Sequence, residues 1–268
     1  MKKFLLALVV LFNLTAWAGA SKVWEDSALN AIVKRGELRV GLEPGYMPFE
    51  MKDKKGNIIG FDVDMVKMMA KEMGVKLKLV PTAWDGIIAG LLTGKYDMIA
   101  SGMTMTQKRN LKVNFASPYI SAGQTLIVSE KVAAVAKTWK ELDDPKYTIV
   151  TKLGVTGEIA ARKMFKKAKI RTFETEADAA QEVLNGKADA FIYDKPYNVL
   201  FMAKKGGKGI VHWDKDLTFE PFGWAVRKGD PDFLNWLDNF LYQVKNDGRY
   251  EKIYKKWMID SKWLKKVQ

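Results

Sequence analysis

Cysteine is absent from the 268 residues, and histidine occurs once. Without thiols there is no disulfide framework, no cysteine nucleophile and no thiolate metal centre, so stability must come from an apolar core. The lone histidine, His212, falls short of the three or four donors a zinc site needs. Its place beside Trp213 in a strand-like stretch reads as structural. A glycine-rich phosphate loop of the Walker type is missing, which excludes a P-loop ATPase. Short-period repeats and low-complexity tracts are missing too, which argues against a solenoid or a disordered tail. No cofactor is implied.

What is present begins with a leader pattern. Lys2 and Lys3 precede the apolar stretch from Phe4 to Phe12, and Ala18-Gly19-Ala20 supplies small residues at a cleavage site. The apolar stretch is well short of the ~20 residues of a spanning helix, so residues 1–20 read as a signal peptide cut before Ser21. Ala16-Trp17-Ala18 is a second possible site. With no cysteine to carry a lipid anchor, the mature protein is expected free in the periplasm, with no membrane insertion after cleavage. The formal charge of +13 is spread along the chain and interleaved with acids. Together with export, that distribution argues for a solvated basic surface and against nucleic acid as a partner.

The mature chain alternates strand and helix patterns, the signature of α/β layers. Strands are expected at Glu37–Gly41, Val75–Leu79 and Tyr96–Ala100. Helices are expected at Phe61–Met73, with Asp62 as its cap, and at Trp84–Thr93. The alternation restarts with strands at Tyr147–Thr151, Ile170–Phe173 and Ala188–Tyr193 and helices at Gly157–Lys167 and Ala177–Asn185. Between the two sets lies the Lys/Glu/Asp-rich segment Val128–Lys146, read as the entry to a second lobe. Gly223–Val226 reads as a strand and Pro231–Trp257 as helices, too short for a third domain and so expected to return to the first lobe. The expected division is 21–127 with 221–268 for lobe 1 and 128–220 for lobe 2, each lobe large enough to fold around its own core.

In open α/β sheets ligands sit beyond the carboxyl ends of the strands. Four polar loops follow expected strands: Glu43-Pro44-Gly45-Tyr46, Ser101-Gly102-Met103-Thr104, Gly154-Val155-Thr156-Gly157 and Tyr193-Asp194. Together they offer groups for a zwitterion. Arg109, five residues after Thr104, has the planar fork that matches a carboxylate. The Thr104 and Thr156 loops precede helical stretches whose free N–H groups can add to that carboxylate pocket. Asp194 suits an ammonium, with the Gly102 carbonyl completing its coordination. Each residue alone also has a plain reading: Arg109 as a surface ion-pair partner, Asp194 as the cap of a helix from Lys195, the threonines as loop residues.

The chain resembles, over essentially its full mature length, the periplasmic polar amino-acid-binding proteins of ABC importers (extracellular solute-binding protein family 3). The likeness runs through Val40-Gly41-Leu42-Glu43-Pro44-Gly45-Tyr46-Met47-Pro48-Phe49-Glu50 and Gly60-Phe61-Asp62-Val63-Asp64. It continues through Tyr96-Asp97-Met98-Ile99-Ala100-Ser101-Gly102-Met103-Thr104 with Thr106, Lys108 and Arg109, then Gly154-Val155-Thr156-Gly157. Ala188-Asp189-Ala190-Phe191 with Asp194, and Asp247-Gly248-Arg249-Tyr250, complete it. The resemblance implies a two-lobed α/β fold joined by two crossover strands, with an amino acid in the cleft and the membrane permease of an ABC transporter as partner. It implies Arg109, Thr104 and Thr156 as α-carboxylate binders, Gly102 and Asp194 as α-amino binders, and Tyr46 and Trp84 as aromatic walls, although aromatics pack in cores more often than they line sites. Ser101 is expected among the ligand-binding residues.

Glu43 falls where binders of basic amino acids carry an acid, which favours lysine or arginine. Lys152 falls where glutamine binders place a lysine facing that acid. If Lys152 pairs with Glu43 the pocket is neutralised and suits a neutral side chain; if it points to solvent, Glu43 is free for a cation. A branch of the family resembles cyclohexadienyl dehydratase, whose chemistry needs a general acid. Where those enzymes place a glutamate this chain has Tyr197, and Asp194 fits an ammonium that a prephenate-like substrate lacks. The expectation is therefore a binding protein for a cationic amino acid and not an enzyme.

Overall fold

The computed structural model describes residues 27–260 and 262–267; the expected signal peptide lies outside the described residues. The chain builds two five-stranded sheets. The first has the order Lys76–Pro81, Glu37–Leu42, Met98–Ile99, Ala225–Val226, Asn114–Phe115. Its first three strands run parallel, and Ala225–Val226 is antiparallel to both neighbours. The second has the order Lys169–Phe173, Thr148–Lys152, Ala190–Asp194, Gln124–Ser129, Ile210–Trp213, again with three parallel strands and then two antiparallel pairings. This is the expected two-lobed α/β architecture.

The chain crosses between the sheets twice, at Ile120–Ala122 and Glu220–Phe222, and these passages pair antiparallel with each other, Ser121 opposite Pro221. After the second crossing the chain returns to the first sheet through Ala225–Val226. The expected junction at residues 127/128 falls inside the strand Gln124–Ser129, all but whose last residue is buried. Burial on both faces leaves no alternation to read, so that strand is invisible to a period-2 search.

Local chemistry explains most element positions. The helix Phe61–Glu72 buries Val63, Val66, Met69 and Ala70 along one stripe, as their spacing requires. Asp62 does not cap it. The helix already starts at Phe61 behind Gly60, and the Asp62 carboxylate turns inward. The expected helix Trp84–Thr93 divides into a 3₁₀ turn, Trp84–Gly86, and a helix Ile87–Leu92. The C-terminal run likewise breaks at Gly248, whose φ of 82° ends Pro231–Asn246 and starts Arg249–Tyr254. The sequence pattern missed the hairpin Met51–Lys52/Ile58–Ile59, while the helix from Lys195 is present and runs to Lys205. Among the described residues no helix is long and apolar enough to cross a membrane.

Candidate ligand-binding site

Because parallel strands in both sheets end toward the same gap, the four polar loops converge. Glu43 follows Leu42, Ser101 follows the Met98–Ile99 strand by one residue, Thr156 lies four residues beyond Lys152, and Asp194 is the last residue of its strand. Nine of the ten expected site residues border one cavity: Glu43, Tyr46, Trp84, Ser101, Gly102, Thr104, Arg109, Thr156 and Asp194. Lys152 does not border it. Glu50, Val155 and Tyr193 also line the cavity.

The cavity is small, ≈ 20 Å³, about the room of one water. Groups of the two lobes meet across it. The Tyr46 hydroxyl donates to Asp194 Oδ2 at 2.7 Å, and the Thr104 and Thr156 hydroxyls lie 3.4 Å apart. Trp84 Nε1–H donates to the Gly154 carbonyl at 3.1 Å, and the Lys152 ammonium donates to Glu43. A molecule larger than water therefore enters only when these contacts part.

Arg109 ends up at one pole. Its Nη1 donates to the Thr104 carbonyl at 2.8 Å and its guanidinium lies 5.2 Å from the centre of the Trp84 ring. A carbonyl and an indole face orient the fork, leaving other N–H groups for a carboxylate. Burial pulls the Arg109 pKa down, opposed by the negative charges of Glu220 and Asp194. It is not the surface ion-pair partner of the plain reading.

Asp194 forms the other pole. It occupies the N-cap position of the helix Lys195–Lys205, yet its side chain makes no capping bond. Its carboxylate turns instead toward the cavity, accepting from Tyr46 and, at 2.6 Å, from Gln124 Nε2. Burial raises its pKa to about 7; the Tyr46 hydrogen bond opposes the rise, Glu220 adds to it and Arg109 opposes it.

The Ser101-Gly102 loop is held from beneath by two acids to which sequence reading gave no part in the site. Glu50 and Asp62 are both fully buried. The Ser101 hydroxyl donates to Glu50 Oε1 at 2.6 Å and in turn accepts the Glu43 N–H at 3.0 Å. Gly102 N–H and the Tyr119 hydroxyl both donate to Asp62 Oδ2, at 2.8 and 2.9 Å. Burial, with the Asp62 charge close by, pushes the Glu50 carboxyl well above the usual range, and burial raises Asp62 to about 6. Gly102 has a φ of 49°, and a Cβ there would sit 2.2 Å from Tyr46 Cε1. Only glycine fits between the loop and the Tyr46 ring.

Lys152 lies behind Glu43, its side chain 3 % exposed, and it bonds Glu176 Oε2 at 2.9 Å as well as Glu43. Glu176 is the first residue of the helix Glu176–Leu184, where an acid is usual for dipole reasons, so nothing in the sequence marks it. Gln124 was hidden in the unrecognised strand. His212 shares a hydrogen bond of 2.9 Å with the Thr125 hydroxyl, in line with its structural reading. Among the described residues no cluster of three or more metal-ligating side chains occurs.

Residues 38–260 match the family model of bacterial extracellular solute-binding proteins, family 3. The chain belongs to that family. Among solved structures this solute-binding protein is similar to the putative binding component of an ABC transporter from Wolinella succinogenes complexed with lysine. The two are 63 % identical, with a TM-score of 0.84, over 87 % of this chain and 100 % of the other. It is also similar to AncCDT-1, an ancestral amino acid-binding protein described as a precursor of cyclohexadienyl dehydratase, at 49 % identity and a TM-score of 0.81 over 87 % and 100 % of the chains. The cyclohexadienyl dehydratase of Pseudomonas aeruginosa is 28 % identical over 98 % of this chain and 97 % of its own. Both the binding and the dehydratase branches thus lie within reach of this solute-binding protein. Its Tyr197 is 1 % exposed, in contact with the rings of Phe191, Tyr193 and Phe201, and is not among the residues lining the cavity.

Proposed function

We propose that this chain captures a cationic amino acid, lysine or arginine, between its lobes and presents it to the membrane permease of an ABC transporter. One observation carries the reading: Arg109 from the first-sheet side and Asp194 from the second border the same cavity. Arg109, Thr104 and Thr156 take the α-carboxylate. Asp194 takes the α-ammonium with Ser101 and Gly102, Tyr46 and Trp84 form the walls, and Glu43 faces the side chain. The lobes are taken to divide at the crossings Ile120–Ala122 and Glu220–Phe222, and export as cleavage before Ser21 into the periplasm. A ligand that bridges both lobes gains contacts only when they close, so it shifts the open–closed equilibrium by that difference in affinity. The lysine in the Wolinella succinogenes structure supports the ligand class.

A thermal-shift screen of the twenty amino acids tests this. Lysine or arginine is expected to raise the melting point progressively, since at a hundredfold excess over Kd a ligand adds about 2.7 kcal/mol to stability. A shift with glutamine alone would replace the ligand class by a neutral one. The dehydratase reading needs a proton donor beside the leaving hydroxyl, and the Tyr197 phenol, buried and with its pKa raised by that burial, does not suit that task. Incubation with prephenate or arogenate is expected to yield no phenylpyruvate or phenylalanine; absorbance of the product enolate in alkali and amino-acid analysis check it.

A further inference from the structure

Three charged side chains meet beside the cavity: Glu43 from the first lobe, which borders it, and Lys152 and Glu176 from the second, behind Glu43. Lys152 is the last residue of its strand and pairs in register with Phe173, three residues before Glu176. That register brings the ammonium and the Glu176 carboxylate together. Both side chains are 3 % exposed, against 21 % for Glu43. Glu176 Oε1 faces the first lobe, 3.4 Å from where a Cβ on Gly45 would stand. Glu43 spends Oε2 on Lys152 and takes the Trp84 N–H on Oε1 at 3.3 Å.

One ammonium cannot balance two carboxylates. The buried partners Lys152 and Glu176 satisfy each other, and the surplus falls on the acid at the cavity wall. The Glu43 pKa is raised, chiefly by burial and further by Glu176, although Lys152 touches it. Lys152 is held charged, its pKa raised by Glu176 and Glu43 against the opposing effect of burial. Of the two alternatives read from the sequence, the pairing of Lys152 with Glu43 is the one observed and the lysine turned to solvent is not, but Lys152 also holds Glu176. The lysine pairs with Glu43, and a second acid restores the negative sign.

We propose that Glu176 sets the charge preference of the site: as the second acid on Lys152 it leaves the group one negative charge in surplus, which a cationic ligand side chain neutralises. This rests on the cleft being an amino-acid site. The test is calorimetry with lysine, arginine and glutamine on the purified mature protein, Glu176→Gln and the double variant Lys152→Met/Glu176→Gln. Glu176→Gln keeps shape and hydrogen bonding but makes the group neutral, and the lysine-to-glutamine affinity ratio is expected to fall about tenfold or more. The double variant again carries a single uncompensated acid, Glu43, and is expected to regain most of the wild-type ratio, a rescue that a merely structural role for Glu176 does not produce. An unchanged ratio in Glu176→Gln, or a ratio lost in the double variant, overturns the proposal. If Glu176→Gln fails to fold, the double variant alone decides by the same criterion. Should the wild type bind none of the three ligands, the amino-acid reading itself fails, an outcome distinct from the others.

Discussion

Arg109→Ala is expected to remove amino-acid binding from calorimetric view, weakening affinity at least about a hundredfold, while circular dichroism stays that of the folded protein. The size follows from what truncation leaves behind. Removing one partner of a desolvated, hydrogen-bonded charge pair costs about 2–5 kcal/mol, because the ligand carboxylate must then be buried without its cation. The fold is spared because Arg109 sits in the short helix Gln107–Asn110, which contributes nothing to the apolar cores, and its side chain holds the Thr104 carbonyl and packs on the Trp84 ring. Arg109→Lys is expected to recover little. An ammonium offers a point charge where the site presents a planar fork, and it cannot hold the carbonyl and both carboxylate oxygens in one plane. Affinity within threefold of wild type in Arg109→Ala would remove this residue from the site.

Asp194→Asn carries the second large effect, and it has a signature in pH. The carboxyl is raised to about 7 by burial, so closing the lobes over the ionised form is unfavourable until an ammonium arrives. Relative to an ordinary carboxyl, the penalty on the closed fold is absent at low pH. It grows as pH rises through the ordinary carboxylate range and is complete above about 7. The ligand ammonium relieves that penalty only when the acid is ionised. Affinity is therefore expected to be flat above pH 7 and to fall by up to about tenfold per unit below it. Calorimetry at pH 6 in buffers of different ionisation enthalpy is expected to show a proton released on binding. Asp194→Asn is expected to lose about a hundredfold in affinity at pH 8 and to flatten the pH profile. A variant that keeps the wild-type slope would assign the titration to another group.

How much of this was legible beforehand depended on where each signal lies. Polar and glycine residues directly after apolar strands marked loops that do converge on one cavity, because strand ends in parallel sheets share one edge. Trp84 and the wall role of Tyr46 came from the family resemblance. Lys152 was recognised but not its direction, since a residue at a strand end can turn either way without disturbing the pattern. Glu176 left no trace: an acid in the first turn of a helix is what dipole and capping arguments expect anyway. Gln124 was lost with its strand, whose run of buried residues has no period to detect. Asp62 fitted a cap by spacing, and only packing against Tyr119 and Gly102 turned it inward. Contacts between residues far apart in the chain decide each of these cases.

The acids under Ser101 and Gly102 bear on how such a protein acquires new tastes. Glu50 and Asp62 clamp the floor of the cleft through a hydroxyl and a backbone amide, so on the proposed function one part of the recognition surface is cast before any solute arrives. A rigid template spares the complex the entropy of ordering that loop. Altered selectivity is then expected to be written from the other lobe, behind Glu43, where Lys152 and Glu176 stand together and can be exchanged without recasting the mould.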